Sequence, residues 1–392
     1  MEVDRVAMGV RLAAARKQLG TSQRDLAELT GVPQAMVSRL EKGIPTRAPL
    51  TTLDTLATTL GIRLDHLLYG SPVRERVLAA ARTPAGADVC AALEHAVELL
   101  EFDNALDQVV PELRQHRAPA AISVLAAGTP ASRGTDLART VRDHLGLGIA
   151  PIPNIPSLMA ELTGVDVGSA PLGEASGVCA VDPDRDTAVV LVNSNDVSER
   201  QRFSLAHELG HLLFGDGAHV DGIDGRRTDS EVRCDEFARN LLIPQDGMSS
   251  WLAQALGITT RDRVDERAVA LLVRHFGVSP DVARIQLDRA GLLPATLTAV
   301  PSARVLAHRY GWGQQHDLEQ ELARRPLPPQ RLQERATHAY RRGLLGAAAI
   351  ARLTGRSEAD VATSLAEAGV TVEPRTRRAD IVSLVARANA RA

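Results

Sequence analysis

The spacing of apolar and polar positions changes character along the chain, and the changes mark out its parts. Residues 8–70 read as short helices separated by tight turns. The first covers Arg11 to Gln18. A second opens at Thr21-Ser22-Gln23 and ends before Gly31, and a third opens at Val32-Pro33 and is stopped by Gly43. A fourth runs from Thr51/Thr52 to Gly61, and a final short turn, Asp65 to Leu68, is closed by Gly70-Ser71-Pro72. Residues 73–125 keep a helical spacing, broken at Thr83-Pro84-Ala85-Gly86. Their apolar positions (Leu93, Ala96/Val97, Leu100, Leu106, Val109/Val110, Leu113) form a stripe suited to a core or a dimer face. Ala126 to Gly134, AAGTPASRG, has the composition of a linker.

Helices follow from Asp136 and from Ile155, and then the period shortens. Gly177–Val181 and Ala188–Val192 are strand-like runs joined by Asp182-Pro-Asp-Arg-Asp186, the pattern of a hairpin. Ser198 with Gln201 three residues on has the form of a capping box, opening a helix expected to reach Phe214 and to end at Gly215-Asp216-Gly217. A polar loop is expected over 216–228. Another helix runs from about Ser230 to Ile243, before Pro244. The remainder is helical in pattern, with a break near Pro326–Pro329 and no repeat of solenoid length. The expected fold is therefore mainly α with a small β-sheet. Its parts are an all-α domain over 1–72, a helical connector and linker over 73–134, a central α+β domain over 135–295 and a helical region over 296–392.

Composition narrows the class. Hydrophobic residues make up 44% and charged residues 24%, which excludes a disordered, collagen-like or disulfide-scaffold chain. Aromatics are only 3%, so the cores must be built from Ala, Leu and Val, and Lys occurs only at 17 and 42. A net charge of −3 rules out a nucleic-acid coat over the whole chain but leaves room for one basic face. Cys90, Cys179 and Cys234 lack CxxC spacing, which points to a reducing compartment and away from a cysteine zinc site. The first residues carry no apolar signal core, and no run reaches the ~18 apolar residues of a membrane span. The expectation is a soluble, cytoplasmic protein without a membrane partner.

The second and third segments have helix–turn–helix spacing. Gly31 permits the tight turn, and Leu26, Ala27, Val32 and Val37 stand where the two helices must pack. Gln34, Ala35, Ser38 and Arg39 then project from the front of a helix suited to the major groove, where Gln pairs with adenine and Arg with guanine. Gln23, opening the preceding helix, is placed to meet a phosphate or to support Gln34. Residues 1–50 carry eight basic and five acidic side chains, a modest balance that suits a dimeric binder. A helical protein-interaction module is the plain alternative. The segment 8–70, with its trailing Leu53–Leu56-Ala57–Leu60-Gly61–Leu64–Leu67-Leu68, resembles the XRE family of Cro-like helix–turn–helix regulators, although Gly43–Pro49 is slightly longer than the usual connection. The resemblance implies a double-stranded operator as partner, and half-site geometry implies a homodimer.

His207-Glu208-Leu209-Gly210-His211 is the sharpest chemical signal. Two histidines four apart lie on one helix face, so both imidazoles can reach one ion, and Glu208, one step round, can take a proton from water at that ion. A catalytic zinc needs a third protein ligand. Glu231, twenty residues beyond His211 at the start of the next helix, fits that role; alternatively it is only the third residue of a capping box with Thr228. Asp235, one turn on, is placed to accept a hydrogen bond from His207 or His211. Cys234 reads as a buried thiol and His219 as a surface histidine, with an oxyanion role as its alternative. The pattern is similar to thermolysin-like gluzincins and gives the central domain a zincin-like character.

Arg200-Gln-Arg-Phe-Ser-Leu-Ala-His-Glu-Leu-Gly-His-Leu-Leu, followed by Glu231 and by Phe237-Ala238 to Pro244, resembles the ImmA/IrrE metallopeptidase family over about 136–295. Cys234 stands where that family usually has Ala. The resemblance implies His207, His211 and Glu231 as metal ligands, Glu208 as general base and acid, and zinc, or alternatively manganese, as the ion. It also implies cleavage of a protein substrate of the repressor or antitoxin type, in stress response or mobile-element control. An extended substrate is expected to add to a strand edge near 188–193, and self-cleavage would fall in the linker 126–134. Two other readings stand beside this one: a regulator whose zincin-like domain senses a ligand or partner without proteolysis, and an antitoxin-like component of a defence locus. From residue 296 onward fifteen Arg face nine acidic residues. That balance suits a helical dimerisation or regulatory region, with a second DNA-contacting unit as alternative.

Overall fold

The computed structural model describes residues 3–80, 87–114, 122, 127–216, 219–221, 228–297 and 299–373. The chain divides into two units, Met1–Glu75 and Arg76–Ala392.

The first unit is built from α1 (Arg5–Gln18), α2 (Gln23–Thr30), α3 (Gln34–Glu41), α4 (Leu50–Thr59) and α5 (Leu64–Tyr69). Leu12, Leu26, Val37, Leu56 and Leu67 are wholly buried and form its centre. The first helix begins six residues earlier than the apolar spacing suggests, because the Asp4 carboxylate accepts the amides of Val6 and Ala7 and caps it. Ser22 and Asp25 make a reciprocal capping box on α2, and Gly31 ends that helix in the left-handed conformation, at φ 68. Arg16 reaches from α1 to Glu41 at the end of α3, at 2.6 Å. Burial works against the Glu41 charge, yet Arg16 and Gln23 together hold its carboxyl below the usual range.

After α6 (Pro72–Ala80) come α7 (Ala87–Val109), α8 (Pro130–His144), α9 (Ile155–Thr163), β1 (Asp166–Ala170), β2 (Gly177–Asp182), β3 (Thr187–Asn193), α10 (Ser198–Phe214), β4 (His219–Asp221), α11 (Asp229–Leu242), α12 (Gln245–Leu256), α13 (Glu266–Phe276), α14 (Pro280–Arg289), α15 (Ala303–Tyr310), α16 (Gly313–Ala323), α17 (Gln330–Arg341), α18 (Ala347–Thr354) and α19 (Glu358–Glu367). The fold is mainly helical with one small sheet, as expected. The strand order is β1-β3-β2-β4, with β1 parallel to β3 and the other pairs antiparallel. One apolar cluster joins Met159 and Leu162, Val190 and Val192, Ala206 and Leu209, Phe237 and Leu241, and Phe276. Leu306, Ala307 and Trp312 belong to the same cluster, so α15 and α16 complete this core. Among the described residues no helix is long and apolar enough to cross a membrane.

Several expectations need correction. Every residue of β3 is buried and both its edges are occupied, so a peptide cannot add along 188–193. The sheet ends instead at β1 and β4. Neither was visible in the apolar pattern: Asp166-Val-Gly-Ser-Ala170 has one large apolar residue, and His219–Asp221 lies inside the supposed polar loop. The Ser198–Gln201 capping box does not form. Val197 precedes the helix without a side-chain cap, while Ser198 and Gln201 are taken by α16: Gln320 donates to Ser198 Oγ at 2.7 Å, and Gln201 donates to the Ala323 carbonyl at 2.9 Å. The supposed linker 126–134 enters α8 at Pro130, capped by Thr129, and Ala126 falls outside the described residues, as does the break at 83–86. Gly134 is buried against α11, where a Cβ would stand 2.1 Å from the Arg233 carbonyl oxygen. A self-cleavage site in that half of the stretch would require unwinding a packed helix.

Charge, as well as apolar area, fixes the position of α7. Its stripe of Leu93, Ala96, Val97, Leu100 and Leu106 is buried in the unit, which makes it a core face. Beside that stripe Asp103 and Asp107 pair with Arg185, from the β2–β3 turn, at 2.5 and 2.6 Å, and both pair again with Arg335 of α17. All four side chains are buried. Arg114, partly exposed, adds a further contact to Asp107 at 3.3 Å; removal of either aspartate leaves buried arginine charge uncompensated, which is costlier than the pairing is favourable.

A further buried carboxylate, Glu236 of α11, is gripped by Arg239 at 2.9 Å and by Arg289 of α14. Burial alone would raise its pKa, but the two guanidinium groups hold the carboxyl below its ordinary value. A depressed folded-state pKa stabilises the fold above the unfolded value and loses that contribution as pH falls through the folded one. Glu236→Gln is therefore expected to flatten the acid limb of the curve of melting temperature against pH below about 4.5. At neutral pH the variant should lose about 1–3 kcal/mol, less than for a fully buried pair because Arg289 is 36% exposed. An unchanged acid limb would show that Glu236 does not carry it.

Candidate metal centre and DNA-reading face

The metal centre is assembled by two helices and the start of a strand. On α10, His207 and His211 share a face, and their Nε2 atoms lie 3.0 Å apart. Each ring is held from behind by its own carboxylate. His207 Nδ1 is 3.2 Å from Asp235 Oδ1, and His211 Nδ1 is 2.8 Å from Asp216 Oδ2. A carboxylate can only accept, so each Nδ1 carries the hydrogen and each Nε2 turns a lone pair toward the other. Glu231, at the third position of α11, closes the open side, with its oxygens 3.3 Å from His207 Nε2 and 3.5 Å from His211 Nε2. Thr228 does cap the Glu231 amide, so this residue serves the helix start with its backbone and the imidazoles with its carboxylate.

Two lone pairs and a carboxylate converging within 4.8 Å repel one another unless a cation lies among them. Two imidazole nitrogens at ~2.0–2.1 Å from one tetrahedral ion are themselves ~3.3 Å apart, close to the separation found here. The residues therefore fit a zinc-class ion. Manganese, the other expected ion, favours oxygen-richer sets than two nitrogens and one carboxylate. Glu208 is wholly buried. Its Oε1 would lie 2.5 Å from a Cβ at Gly177, the first residue of β2, so that glycine makes room for the carboxylate. Gly210 admits α11 in the same way, since a Cβ there would be 3.1 Å from Phe237.

Sequence reasoning placed Asp235 behind one of the two rings and missed Asp216 behind the other. Asp216 lies five residues beyond His211, just past the glycine that ends α10, and that position was its one readable signal. Arg233 of α11 holds the second oxygen of Asp216 and lies 4.7 Å over the Phe214 ring. Cys234 is buried, with its sulfur 3.9 Å from Asp216 Oδ2. The side chain of His219, the oxyanion candidate, lies outside the described residues.

In the first unit Gln34, Ala35 and Arg39 are exposed on one side of α3 and Ser38 is half-buried beside them. Arg39 is tethered through the Pro45 carbonyl at 3.0 Å, so the long connection after α3 steadies one of the expected base-reading side chains. Gln23 does not support Gln34. Its amide donates to Glu41 Oε2 at 2.7 Å, where it joins Arg16.

Comparison with known proteins agrees with both parts. Residues 12–67 match the helix-turn-helix family, and residues 160–288 match the IrrE N-terminal-like domain family. The chain is 34% identical over 163 residues to the radiation response metalloprotease IrrE of Deinococcus radiodurans, covering 39% of this chain and 46% of that protein. It is 37% identical over 148 residues to the IrrE of Deinococcus deserti, covering 36% of this chain and 48% of that one. The match thus spans about half the length of these two relatives. An uncharacterized HTH-type transcriptional regulator of Haemophilus influenzae is 47% identical over 61 residues, covering 16% of this chain and 61% of that protein.

The Gly177–Glu208 contact allows the Glu208 carboxylate to be disturbed without touching the three candidate metal ligands. Gly177→Ala is expected to displace the Glu208 carboxylate while leaving His207, His211 and Glu231 in place. Metal content measured by plasma mass spectrometry should stay near wild type while peptidase turnover falls by about tenfold or more. Loss of metal together with turnover would show that Gly177 supports the whole centre instead.

Proposed function

The chain joins an XRE-type helix–turn–helix domain to an IrrE/ImmA-like metallopeptidase domain, and from that pairing we propose a DNA-binding regulator that hydrolyses peptide bonds in a repressor- or antitoxin-type protein. The observation that carries the enzymatic half is Glu208. A site that only stored an ion or sensed a ligand has no need of a buried carboxylate beside two inward-facing imidazoles.

His207, His211 and Glu231 would hold the ion, with Asp235 and Asp216 fixing the two rings. A divalent ion held there supplies Lewis acidity toward water and toward a scissile carbonyl. Glu208 takes the proton from the attacking water and passes it to the departing amine, so one carboxylate serves as base and then as acid. Its burial against Gly177 confines it to a short arc, which suits a group that must meet both partners in turn. A substrate strand meets the sheet at β4, the edge next to β2, because β3 is enclosed. In the first unit Gln34, Ala35, Ser38 and Arg39 read operator bases, and two copies of the chain occupy two half-sites.

Two experiments test the two halves. In native cells under DNA damage, new protein N-termini are compared by mass spectrometry between wild type and Glu208→Gln. A fragment found only with wild type identifies the substrate, whereas identical profiles would overturn the peptidase reading and favour a ligand-sensing regulator. Gln34→Ala is expected to weaken operator binding by about 1–3 kcal/mol while leaving non-specific binding nearly unchanged. Equal losses on both kinds of DNA, measured by titration at fixed salt, would remove Gln34 from the base-reading set.

A further inference from the structure

The two imidazoles of the metal centre are not held alike. Asp235, behind His207, belongs to α11 and stands one turn after Glu231, so the helix that brings the third candidate ligand brings this carboxylate with it. Asp216, behind His211, lies one residue past Gly215, which ends α10 in the left-handed conformation at φ 74. That cap fixes its backbone, since the Asp216 amide donates to the His211 carbonyl at 3.0 Å. It does not fix the carboxylate. The terminal torsion of an aspartate is broad and roughly two-fold, so a carboxylate bound through one oxygen can still turn.

The second oxygen decides. Oδ2 meets His211 Nδ1 at 2.8 Å, and Oδ1 is taken by the Arg233 guanidinium in a charge-assisted bond. Arg233 has little freedom of its own. Its guanidinium lies 4.7 Å from the ring centroid of Phe214, the last residue of α10, and its side chain is 15% exposed. Arg133 of α8 meets the same ring at 5.5 Å, and the neighbouring Gly134 lets α8 reach the Arg233 carbonyl. Arg233 therefore grips the end of α10 on both sides of Gly215, through Phe214 and through Asp216. Arg239 does less for Asp235: it is 3.5 Å from Asp235 Oδ2, and its shorter bond, 2.9 Å, goes to Glu236.

We propose that Arg233 is a positioning residue for the metal centre, acting through Asp216 to fix the His211 ring, so that ion affinity depends on a side chain outside the candidate ligand set. The inference rests on the reading of His207, His211 and Glu231 as ligands. With both carboxylate oxygens held, Asp216 keeps the hydrogen on His211 Nδ1 and the Nε2 lone pair aimed between the rings. With Oδ1 released, the carboxylate turns, and His211 loses the partner that sets its rotation.

The test is the zinc affinity of the full chain, measured by competition with a chromophoric chelator, with melting temperatures of the metal-free proteins taken alongside. Arg233→Met keeps an apolar contact with Phe214 but offers no hydrogen to Asp216, and is expected to weaken zinc binding about tenfold. Arg233→Lys restores a donor and is expected to recover most of that loss. Asp216→Ala is expected to lose about 10–100-fold, and its combination with Arg233→Met no more than Asp216→Ala alone, because Arg233 acts through that carboxylate. Glu236→Gln, which weakens α11 elsewhere, is the control: its metal-free melting temperature should fall while its zinc affinity stays near wild type. Unchanged affinity in Arg233→Met, losses that multiply in the combined variant, or an equal loss in Glu236→Gln would make Arg233 a mere fastener between helices and overturn the assignment. Failure of the wild type itself to bind one zinc per chain would overturn the reading of the metal centre and this inference with it, so the two failures are told apart.

Discussion

Two imidazole nitrogens that face each other at 3.0 Å are held there against their own repulsion, and much of the second unit can be understood as the means of holding them. A helix supplies the coincidence of direction, since residues four apart share a face, but it does not fix the rotation of either ring. That is done by Asp235, from a neighbouring helix, and by Asp216, from the turn that ends the same helix. Both depend on how closely α11 approaches α10. The approach depends in turn on small residues: Gly210 under Phe237, and Gly134 under the Arg233 carbonyl on the far side of α11. Once α11 is seated, Glu231 needs no special arrangement, because the capped first turn of that helix already directs it to the gap between the rings.

The same dependence explains what could be read from the sequence. His207, Glu208 and His211 were legible because their relationship is confined to one turn of helix. Glu231 and Asp235 were legible because helix spacing fixes their separation and the polar gap before them fixes their order. Asp216 and Gly177 were not, since one lies beyond the end of a helix and the other acts through the room it leaves for Glu208. The helix–turn–helix unit was readable because α2, the turn at Gly31 and α3 follow one another directly; the expected support of Gln34 by Gln23 does not form, because Glu41, eighteen residues away, takes the Gln23 amide. β1 was hidden because its sequence has little apolar content; its place follows from parallel pairing with β3. The Ser198–Gln201 box had the right letters, but α16, more than a hundred residues later, claims both side chains.

The burial of charge in this unit follows one rule. Arg142 loses solvent on every side, which pushes its pKa down to about 10, and it remains charged at neutral pH because it donates to the carbonyls of Gly148, Ala150 and Leu241. Asp103, Asp107, Arg185 and Arg335 solve the same problem by mutual pairing, and Glu236 by two arginines. In each case the charged group joins segments distant in sequence, so burial cost is converted into a requirement for one particular arrangement. With so few aromatic residues to give the cores shape, such groups supply specificity that large rings supply elsewhere.

The path of the C-terminal chain has a consequence for the order in which the molecule can form. Leu327 pairs with Ser169 on the outer side of β1, Asp166 receives the amides of Arg331 and Leu332, and Arg335 is the second partner of Asp103 and Asp107. Until synthesis has passed α17, the sheet lacks this outer support and Asp103 and Asp107 lack the arginine that reaches them from α17. In the first unit, by contrast, the core cluster and the bonds from Arg11 to the Leu67 and Leu68 carbonyls join residues within its own first seventy. During translation, therefore, the core of the helix–turn–helix unit can close while the second unit is still waiting for its last helices, and a chain interrupted before residue 330 would carry the first unit beside an unfinished second one.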